Sequence, residues 1–258
     1  MTESAALLVV SDVNKTFGGV TAADCISVSI RAGEIVAVVG PNGAGKTTFI
    51  NLITGWLAPD SGRIVFAGCD IAGAEPRSVV RSGLSRSFQI SQIFPSLTVL
   101  ENLKLAVALS HDRPFSLLRS FRSCDLADRA VLLARQFTIE GELPRVAGEL
   151  SQGTKKLLDI ALAAARRPRL LLLDEPTSGV SADEKLDLMN LVVTTCTQSG
   201  ATLLFVEHDM EIVRTFANRV LAFVGGQVVC DDVPEKAFEH PFFRDHAGVG
   251  PGEEAVTC

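Results

Sequence analysis

The sequence predicts an α/β fold in which a mixed, largely parallel sheet is preceded by an antiparallel β layer and interrupted by a helical insertion. Two short apolar runs, at residues 170–174 and 201–207, are typical of parallel strands buried on both faces. A third run, at residues 34–40, enters a glycine-rich turn, and the middle of the chain has helical periodicity. The 258 residues suffice for one large domain with an insertion, and we predict no second independent domain.

Periodicity and turn residues predict the elements in chain order. Residues 5–39 are predicted as strands, because residues 25–30 (CISVSI) alternate apolar and polar side chains as a half-buried antiparallel strand does. In the helical middle, one apolar face is predicted to carry Leu97, Leu100, Leu103 and Val107. The remaining predictions are a helix over 46–56, a turn over 59–62, a strand over 63–67, a mostly helical stretch over 90–165 with helices around 126–137 and 155–165, a strand over 170–174, a helix over 182–198, a strand over 201–207, and a hairpin of 220–224 and 227–230. From about residue 241 we predict a surface tail that frays, with docking of its Phe242-Phe243 pair as the alternative.

Charge and composition restrict the partners and the compartment. The formal net charge of −6 argues against nucleic acid, which requires clustered Lys and Arg beyond a nucleotide site. The first residues lack the basic region of a secretion signal, and the apolar runs are broken well before the roughly 20 residues of a membrane span. The six cysteines lack CxxC spacing and are predicted to be buried, reduced thiols rather than disulfides or metal ligands. Any membrane role is therefore expected through a partner.

The most informative motif is GPNGAGKTT, which consists of Gly40, Pro41, Asn42, Gly43, Ala44, Gly45, Lys46, Thr47 and Thr48. Its glycines let successive backbone N–H groups point at the β-phosphate of a nucleotide, and the following helix adds its positive end. In such a loop the lysine reaches the β and γ oxygens, and the threonine after it ligates Mg²⁺. An ordinary strand-turn-helix corner is the alternative, but the full motif in this setting predicts a nucleoside triphosphate site.

A pair of acids follows the apolar run at residues 170–173. At the end of a buried strand, Asp174 is placed to hold the Mg²⁺ shell beside Thr47, and Glu175 to polarise an attacking water. Alone, these two acids would be interpreted as a solvated pair between a strand and a loop. The phosphate loop earlier in the chain is what favours the catalytic interpretation.

Four further features occur in a fixed order with these two motifs: Phe17, Gln89, the segment LSQGT at residues 150–154, and His208. The six features together resemble the ATP-binding subunit of an ABC transporter over residues 8–238. The resemblance implies a P-loop NTPase core formed by residues 5–88 and 166–238, a helical subdomain over 89–165 and a tail over 239–258, within a single domain of residues 1–258. It also implies ATP and Mg²⁺ as the cofactors.

The resemblance assigns a role to each matched residue. Phe17 would stack on adenine, Gln89 would sense both Mg²⁺ and the membrane partner, and His208 would contact the γ-phosphate. In isolation, Phe17 would be interpreted as core, Gln89 as a surface polar residue and His208 as structural. The implied catalytic set is Glu175, His208 and Gln89, and the implied Mg²⁺ set is Thr47, Gln89 and Asp174.

The segment at 150–154 is a variant of the family signature, which is usually LSGGQ. Ser151 and Gly153 are retained, whereas Thr154 replaces the final glutamine. Ser151 precedes a predicted helix, so its hydroxyl and the helix N-terminus can face a γ-phosphate, and the same residue can serve as an N-cap. Ser181 stands where the family's dimer-contact loop usually has Asp. Because the signature and the phosphate loop lie on different faces of one subunit, the resemblance implies a dimer in which Ser151 and Gly153 act on the partner's nucleotide.

Several segments are similar to the ATPase subunits of branched-chain (hydrophobic) amino acid importers: residues 17–20 (FGGV), 54–56 (TGW), 85–89 (SRSFQ) and 94–102 (FPSLTVLEN). That similarity implies a second ATPase subunit, identical or a paralogue, two transmembrane permease subunits, and an external solute-binding protein that this chain meets only indirectly. It places the chain peripherally on the cytoplasmic face of the inner (plasma) membrane. Importers of urea, amides or aromatic acids, exporter-type or lipopolysaccharide-transport ATPases, and soluble ATPases of DNA repair or translation are the alternatives.

Overall fold

The computed structural model describes residues 6–87, 93–110, 124–241 and 243. The strands are β1 (Ala6–Phe17), β2 (Val20–Arg31), β3 (Ile35–Val39), β4 (Ser61–Phe66), β5 (Cys69–Asp70), β6 (Leu84–Arg86), β7 (Leu170–Asp174), β8 (Thr202–Val206), β9 (Arg219–Val224) and β10 (Gln227–Asp232). The helices are α1 (Lys46–Ile53), α2 (Pro76–Arg81), α3 (Val99–Leu109), α4 (Cys124–Gln136), α5 (Gln152–Ala164), α6 (Ala182–Gln198), α7 (Met210–Phe216) and α8 (Pro234–Ala237). Short 3₁₀ turns cover Glu140–Glu142 and Ala147–Glu149.

A six-stranded sheet forms the centre of the fold, in the order β10-β9-β3-β8-β7-β6. Neighbours from β9 to β6 are parallel, and β10 pairs antiparallel at one edge. All five residues of β7 are buried, because alternate leucines pack into two different cores, Leu171 and Leu173 into one and Leu170 and Leu172 into the other. The predicted α/β fold with a mixed, largely parallel sheet is confirmed.

The predicted antiparallel β layer is also confirmed. A second sheet has the order β2-β1-β4-β5, and all its pairs are antiparallel. One face of this sheet packs against α1 and one face of the parallel sheet, where Phe49 and Phe66 are fully buried. This core holds the phosphate loop from one side.

The helical middle matches the prediction in kind but differs in its boundaries. Helix α3 begins at Val99, because Thr98 and Glu101 form a capping box, so the prediction that Leu97 belongs to the helical face is wrong. Leu103 and Val107 do face the core. Helix α5 begins three residues earlier than predicted, at Gln152, with Ser151 as its N-cap. The part of the predicted helical stretch at residues 111–123 lies outside the described residues.

Two other predicted boundaries shift at turns. Helix α1 ends at Ile53 rather than near residue 56, because Gly55 has a φ of 77° that ends the helix. Strand β4 begins at Ser61 rather than at residue 63, because β1 pairs with it back to Asn14 and Ser61.

The prediction that the cysteines are buried is wrong for Cys25 and Cys69, which are exposed. Cys25 has a φ of 48° at an irregularity of β2, and Cys69 lies in the two-residue edge strand β5. Cys196 is buried, and burial raises the pKa of its thiol to about 12. The free thiols of the described part of the chain therefore include both inert and accessible ones.

The end of the described chain returns to the core. Phe243 is only 1% exposed, and its ring packs against Phe238 with 4.9 Å between centroids. The prediction of a tail that frays from residue 241 is therefore wrong at Phe243, while Phe242 and residues 244–258 lie outside the described residues.

In the described parts of the chain, none of the helices combines the length and apolar character needed to traverse a bilayer.

Candidate nucleotide-binding site

The phosphate loop joins β3 to α1 in a backbone path that requires glycine. Gly40 has a φ of 147° and Gly45 a φ of 98°, and a Cβ at either position would collide with a carbonyl oxygen, that of Phe223 or of Ala22. Gly45 is the N-cap of α1 and has no side chain to cap it, so the first N–H groups of the helix face outward. The arrangement is a cradle of backbone donors for an anion.

Lys46 is buried at the start of α1, with 7% of its surface exposed. Its ammonium group donates to the carbonyl oxygens of Gly40 and Pro41, at 2.6 and 3.0 Å. Burial lowers its pKa, and the nearby carboxylates of Glu175 and Asp174 act in the opposite direction. The loop lysine and the two acids of the predicted site are thus close enough to interact electrostatically.

Asp174 ends β7 and is buried. One of its oxygens accepts a 2.7 Å hydrogen bond from Nη2 of Arg86, and Nη1 of the same guanidinium donates to Oδ1 of Asn51 at 2.7 Å. Arg86 ends β6, the strand beside β7, and Asn51 lies on α1. A half-buried arginine therefore ties the predicted Mg²⁺ ligand to the helix that follows the phosphate loop.

Glu175 adopts a left-handed backbone conformation, with a φ of 49°. Its N–H donates to the carbonyl of Val206 on β8, at 3.0 Å, and its carbonyl accepts from Nζ of Lys156 on α5, at 3.0 Å. Its carboxylate Oε1 lies 3.2 Å from Nε2 of His208. The two predicted catalytic side chains, from the ends of adjacent strands, are therefore in contact.

His208 is held by the residue that precedes it. Its backbone N–H donates to Oε2 of Glu207 at 3.2 Å, and the other oxygen of Glu207 accepts from the N–H and the hydroxyl of Thr177, at 2.9 and 2.7 Å. Glu207 is 4% exposed and Thr177 2% exposed. The loop after β7 and the loop after β8 share this buried carboxylate.

Phe17 is the last residue of β1 and is 47% exposed, so its ring is not packed in the core. The ammonium group of Lys15 lies 5.7 Å from the ring centroid and also pairs with Asp60 at 2.6 Å. The hydroxyl and N–H of Thr16 donate to the second oxygen of Asp60. These contacts attach the β1 end that carries Phe17 to the turn before β4.

The signature segment lies at the start of α5. Ser151 Oγ accepts from the N–H of Thr154 at 3.2 Å and also contacts the Thr154 hydroxyl, at 2.9 Å. Ser151 and Gly153 line a cleft of about 370 Å³ together with Val180 and Glu184. In the loop before α6, the hydroxyl of Ser181 donates to Glu184 at 2.7 Å.

The described structure therefore brings together Lys46, Asp174, Glu175 and His208, and it places Ser151 and Gly153 at another cleft. Thr47 is exposed and Thr48 half-buried in the first turn of α1. Gln89 lies outside the described residues, so its predicted role stays a prediction.

Three residues that contact this site were not predicted from the sequence: Arg86, Lys156 and Glu207. Each is a polar residue beside a recognised motif, and its contact with Asp174, Glu175 or His208 is visible only in the folded chain. The available signal was position, because Arg86 and Glu207 each end or follow a strand that neighbours β7 in the sheet.

A family model described as ABC transporter matches residues 23–178, so the chain belongs to that family. The chain is an ATP-binding subunit of an ABC transporter, and it is an ATPase.

Individual relatives cover nearly the whole chain. The probable branched-chain amino acid transport ATP-binding protein LivG of Methanocaldococcus jannaschii is 31% identical over 244 residues, which are 93% of this chain and 95% of that protein. The spermidine/putrescine import ATP-binding protein PotA of Nitrosomonas europaea is 34% identical over 94% of this chain but 65% of its own length. A crystal structure of an ATP-binding cassette of an ABC transporter in its ADP conformation superposes with a TM-score of 0.80, at 31% identity, covering 91% of this chain and 94% of the other.

Proposed function

We propose that this chain hydrolyses ATP to power an importer for branched-chain or related hydrophobic amino acids. The observation that carries the hydrolytic part is the 3.2 Å contact between the Glu175 carboxylate and the His208 ring, near the phosphate-loop lysine. A carboxylate in this position can accept a proton from water as the water attacks a phosphoryl group. An imidazole beside it can orient that water or donate to a phosphate oxygen.

The residues of the phosphate loop bind and orient the nucleotide in this proposal. Backbone N–H groups from Gly43 to Thr48 donate to phosphate oxygens, and Lys46 exchanges the carbonyls of Gly40 and Pro41 for the β and γ oxygens. Phe17 stacks on the adenine.

The oxygen donors Thr47, Asp174 and Gln89 fit Mg²⁺, a hard cation that prefers such ligands. When bound there, Mg²⁺ would neutralise negative charge on the phosphates. Arg86 keeps the Asp174 carboxylate oriented by its hydrogen bond at 2.7 Å.

A second ATPase subunit, identical or a paralogue, completes each site in the proposal. Ser151 and Gly153, at the start of α5, supply a hydroxyl and a helix N-terminus to the γ-phosphate held by the other subunit. Closure around ATP and reopening after hydrolysis would then drive two permease subunits at the cytoplasmic face of the membrane. An external solute-binding protein delivers the solute to those permeases.

Import is supported by the relatives, because LivG and PotA are both named as transport or import ATP-binding proteins. The branched-chain class is supported by LivG, which this chain matches over nearly the full length of both proteins, whereas it covers about two thirds of PotA. The segments FGGV, TGW, SRSFQ and FPSLTVLEN point to the same class.

The hydrolytic role is tested with Glu175→Gln, which keeps the size of the side chain and removes the base. We expect the variant to bind ATP and to accumulate a closed dimer, while its kcat falls by at least about 100-fold. Glu235→Gln, at an exposed acid of α8, is the matched control and should keep the parental rate. Lys46→Ala should lose ATP binding itself. Parental turnover in Glu175→Gln would remove Glu175 as the base.

The transport role is tested by purifying the tagged chain from detergent-solubilised membranes and identifying the associated chains by mass spectrometry. We expect two multi-span permeases and an ATPase partner, and uptake of labelled leucine by the reconstituted complex. Uptake of spermidine instead would contradict the branched-chain assignment. Ribosomal or DNA-repair partners without a membrane protein would contradict transport altogether.

A further inference from the structure

Glu207 is a buried acid that none of the roles proposed above uses. It follows β8 directly, is 4% exposed, and its N–H donates to the carbonyl of Val38 on β3 at 3.3 Å. A carboxylate is costly to bury unless hydrogen bonds replace its hydration. The Glu207 carboxylate therefore requires groups that donate hydrogen bonds to it.

The donors to this carboxylate come from two different catalytic loops. Oε1 accepts from the N–H and the hydroxyl of Thr177, two residues after Glu175, and Oε2 accepts from the N–H of His208. Because an ionised carboxylate is purely an acceptor, it can satisfy all of these donors at once, which a neutral amide cannot. Glu207 thus links the backbone of the Glu175 loop to the backbone of the His208 loop.

The two loops that Glu207 joins carry Glu175 and His208, the pair proposed to perform hydrolysis. The Glu175 loop is further fixed by the turn in which the N–H of Ser178 donates to the carbonyl of Glu175, at 3.2 Å. Both loops are attached to this one buried carboxylate, and the 3.2 Å contact between Glu175 Oε1 and His208 Nε2 lies between the two loops.

We propose that Glu207 is a positioning residue that sets the geometry between Glu175 and His208. Glu207 touches neither nucleotide nor water in this role, and it acts through Thr177 and His208. The inference rests on the proposed function, since it assumes that Glu175 and His208 act together on ATP.

Glu207→Gln separates the two sides of the link. The amide oxygen can still accept from Thr177, but the amide NH₂ would face the N–H of His208, donor against donor. Thr177→Val removes the hydroxyl donor on the other side with little change of shape. We expect each variant to lower kcat by about tenfold, while the Kd for ATP changes by less than about twofold.

Thr202→Val is the matched control for a lost buried hydrogen bond. Thr202 is the first residue of β8, the strand that Glu207 follows. It is fully buried, and its hydroxyl accepts from the N–H of Gly33 at 3.0 Å. This variant should lower the melting temperature as much as Thr177→Val does but should keep the parental kcat. Loss of stability without loss of kcat in Glu207→Gln and Thr177→Val would overturn the inference.

A double-mutant cycle with His208→Ala distinguishes positioning from a general effect. We expect Glu207→Gln to cost little further activity once the His208 ring is absent, whereas an equal cost in both backgrounds would overturn the inference. The NMR signals of the His208 ring provide a readout without turnover, and they should shift in Glu207→Gln and Thr177→Val but not in Thr202→Val. Failure of the proposed function has a different pattern, because Glu175→Gln and His208→Ala would then retain the parental rate themselves.

Discussion

At the scale of single residues, the backbone of Glu175 is the clearest case of tertiary contacts overriding a local preference. A left-handed conformation costs a non-glycine residue of order 1–3 kcal/mol. Here the Val206 carbonyl and the Lys156 ammonium hold the two backbone polar groups of Glu175, each at 3.0 Å. The result is a carboxylate that turns out of β7 toward His208 instead of continuing the strand.

The hydrogen bonds to Asp60 make the stability of the fold depend on pH in the acid range. Hydrogen bonds from Lys15 and then from the N–H and hydroxyl of Thr16 lower the pKa of its carboxyl to about 2, against an ordinary value of 3.8. A folded-state pKa below the unfolded one means that the ionised form stabilises the fold. That contribution is complete above pH 4 and is lost as the pH falls through about 2.

Asp60→Asn should therefore make unfolding less dependent on pH in the acid range. We expect the urea midpoint of the variant to lie below the parental midpoint at pH 6, and the difference to shrink between pH 4 and pH 2. Thr16→Val, which removes one donor to the same carboxylate, should give a smaller effect of the same sign. A difference that is constant over this pH range would show that Asp60 is not the titrating group.

At the scale of elements, the start of α3 shows how a loop and a helix stabilise each other. Thr98 and Glu101 cap the helix reciprocally, and Thr98 also bridges to Val146. Asn102 is 1% exposed, and its amide group donates to the carbonyls of Phe94 and Thr98 while accepting from the N–H of Phe94. The chain that leads into the helical subdomain is thereby fixed by side-chain hydrogen bonds.

Thr98→Ala should destabilise the protein by about 1 kcal/mol, because it leaves the first N–H groups of α3 without their cap. Chemical denaturation measures the change, and Thr98→Ser, which keeps the hydroxyl, should recover most of it. We expect Kd for ATP to stay at the parental value, since the cap lies outside the phosphate loop. Equal stability of the alanine and serine variants would show that the capping hydroxyl contributes nothing.

Element types followed from the sequence more closely than element boundaries did. The strand at 170–174 and the helix at 182–198 lie where hydrophobic pattern predicts them. The ends of α1, α3 and α5 differ by a few residues, because Gly55, Thr98 and Ser151 act through turn and cap geometry that periodicity does not contain.

At the scale of the whole molecule, the site lies where three parallel strands end. Lys46 follows β3, Glu175 follows β7 and His208 follows β8, and these strands are neighbours in the order β3-β8-β7. Parallel strands bring their carboxyl ends to the same edge of a sheet. Ser151 and Gly153 instead line the cleft with Val180 and Glu184, which is why we propose that they serve a second subunit.

Mixing two inactive variants tests this composite site. In the proposal, Lys46→Ala inactivates the phosphate loop of its own subunit, and Ser151→Ala removes the hydroxyl that this subunit would contribute to the site of its partner. If two copies of this chain form the dimer, a mixed dimer contains one intact site, and the mixture should hydrolyse ATP although neither variant does so alone. In the control mixture, the double variant Lys46→Ala and Ser151→Ala replaces one of the two single variants, so that no mixed dimer contains an intact site.

Recovery of activity would place Ser151 in trans, whereas no recovery would show that a copy of this chain does not complete the site. In that case, the paralogous subunit recovered from the membrane complex is the partner to mix with each variant. Recovery with the double-variant control would show that the activity comes from contamination rather than from a shared site.

The α/β class, the order of the motifs and the family could be predicted from the amino-acid sequence, because hydrophobic period, glycine placement and catalytic side chains are local properties of the chain. The sequence also identified Lys46, Asp174, Glu175 and His208 as candidates. Other contacts are visible only in the folded chain: Arg86 holds Asp174, Lys156 fixes the backbone of Glu175, and Glu207 joins the loops after β7 and β8. The contacts of Arg86 with Asp174, of Lys156 with Glu175 and of Glu207 with Thr177 join residues that are 19 to 88 positions apart in the chain, so no local pattern encodes them. Only the contact between Glu207 and His208 joins sequence neighbours. The long-range contacts arise because burial forces each polar group to find a partner across the fold.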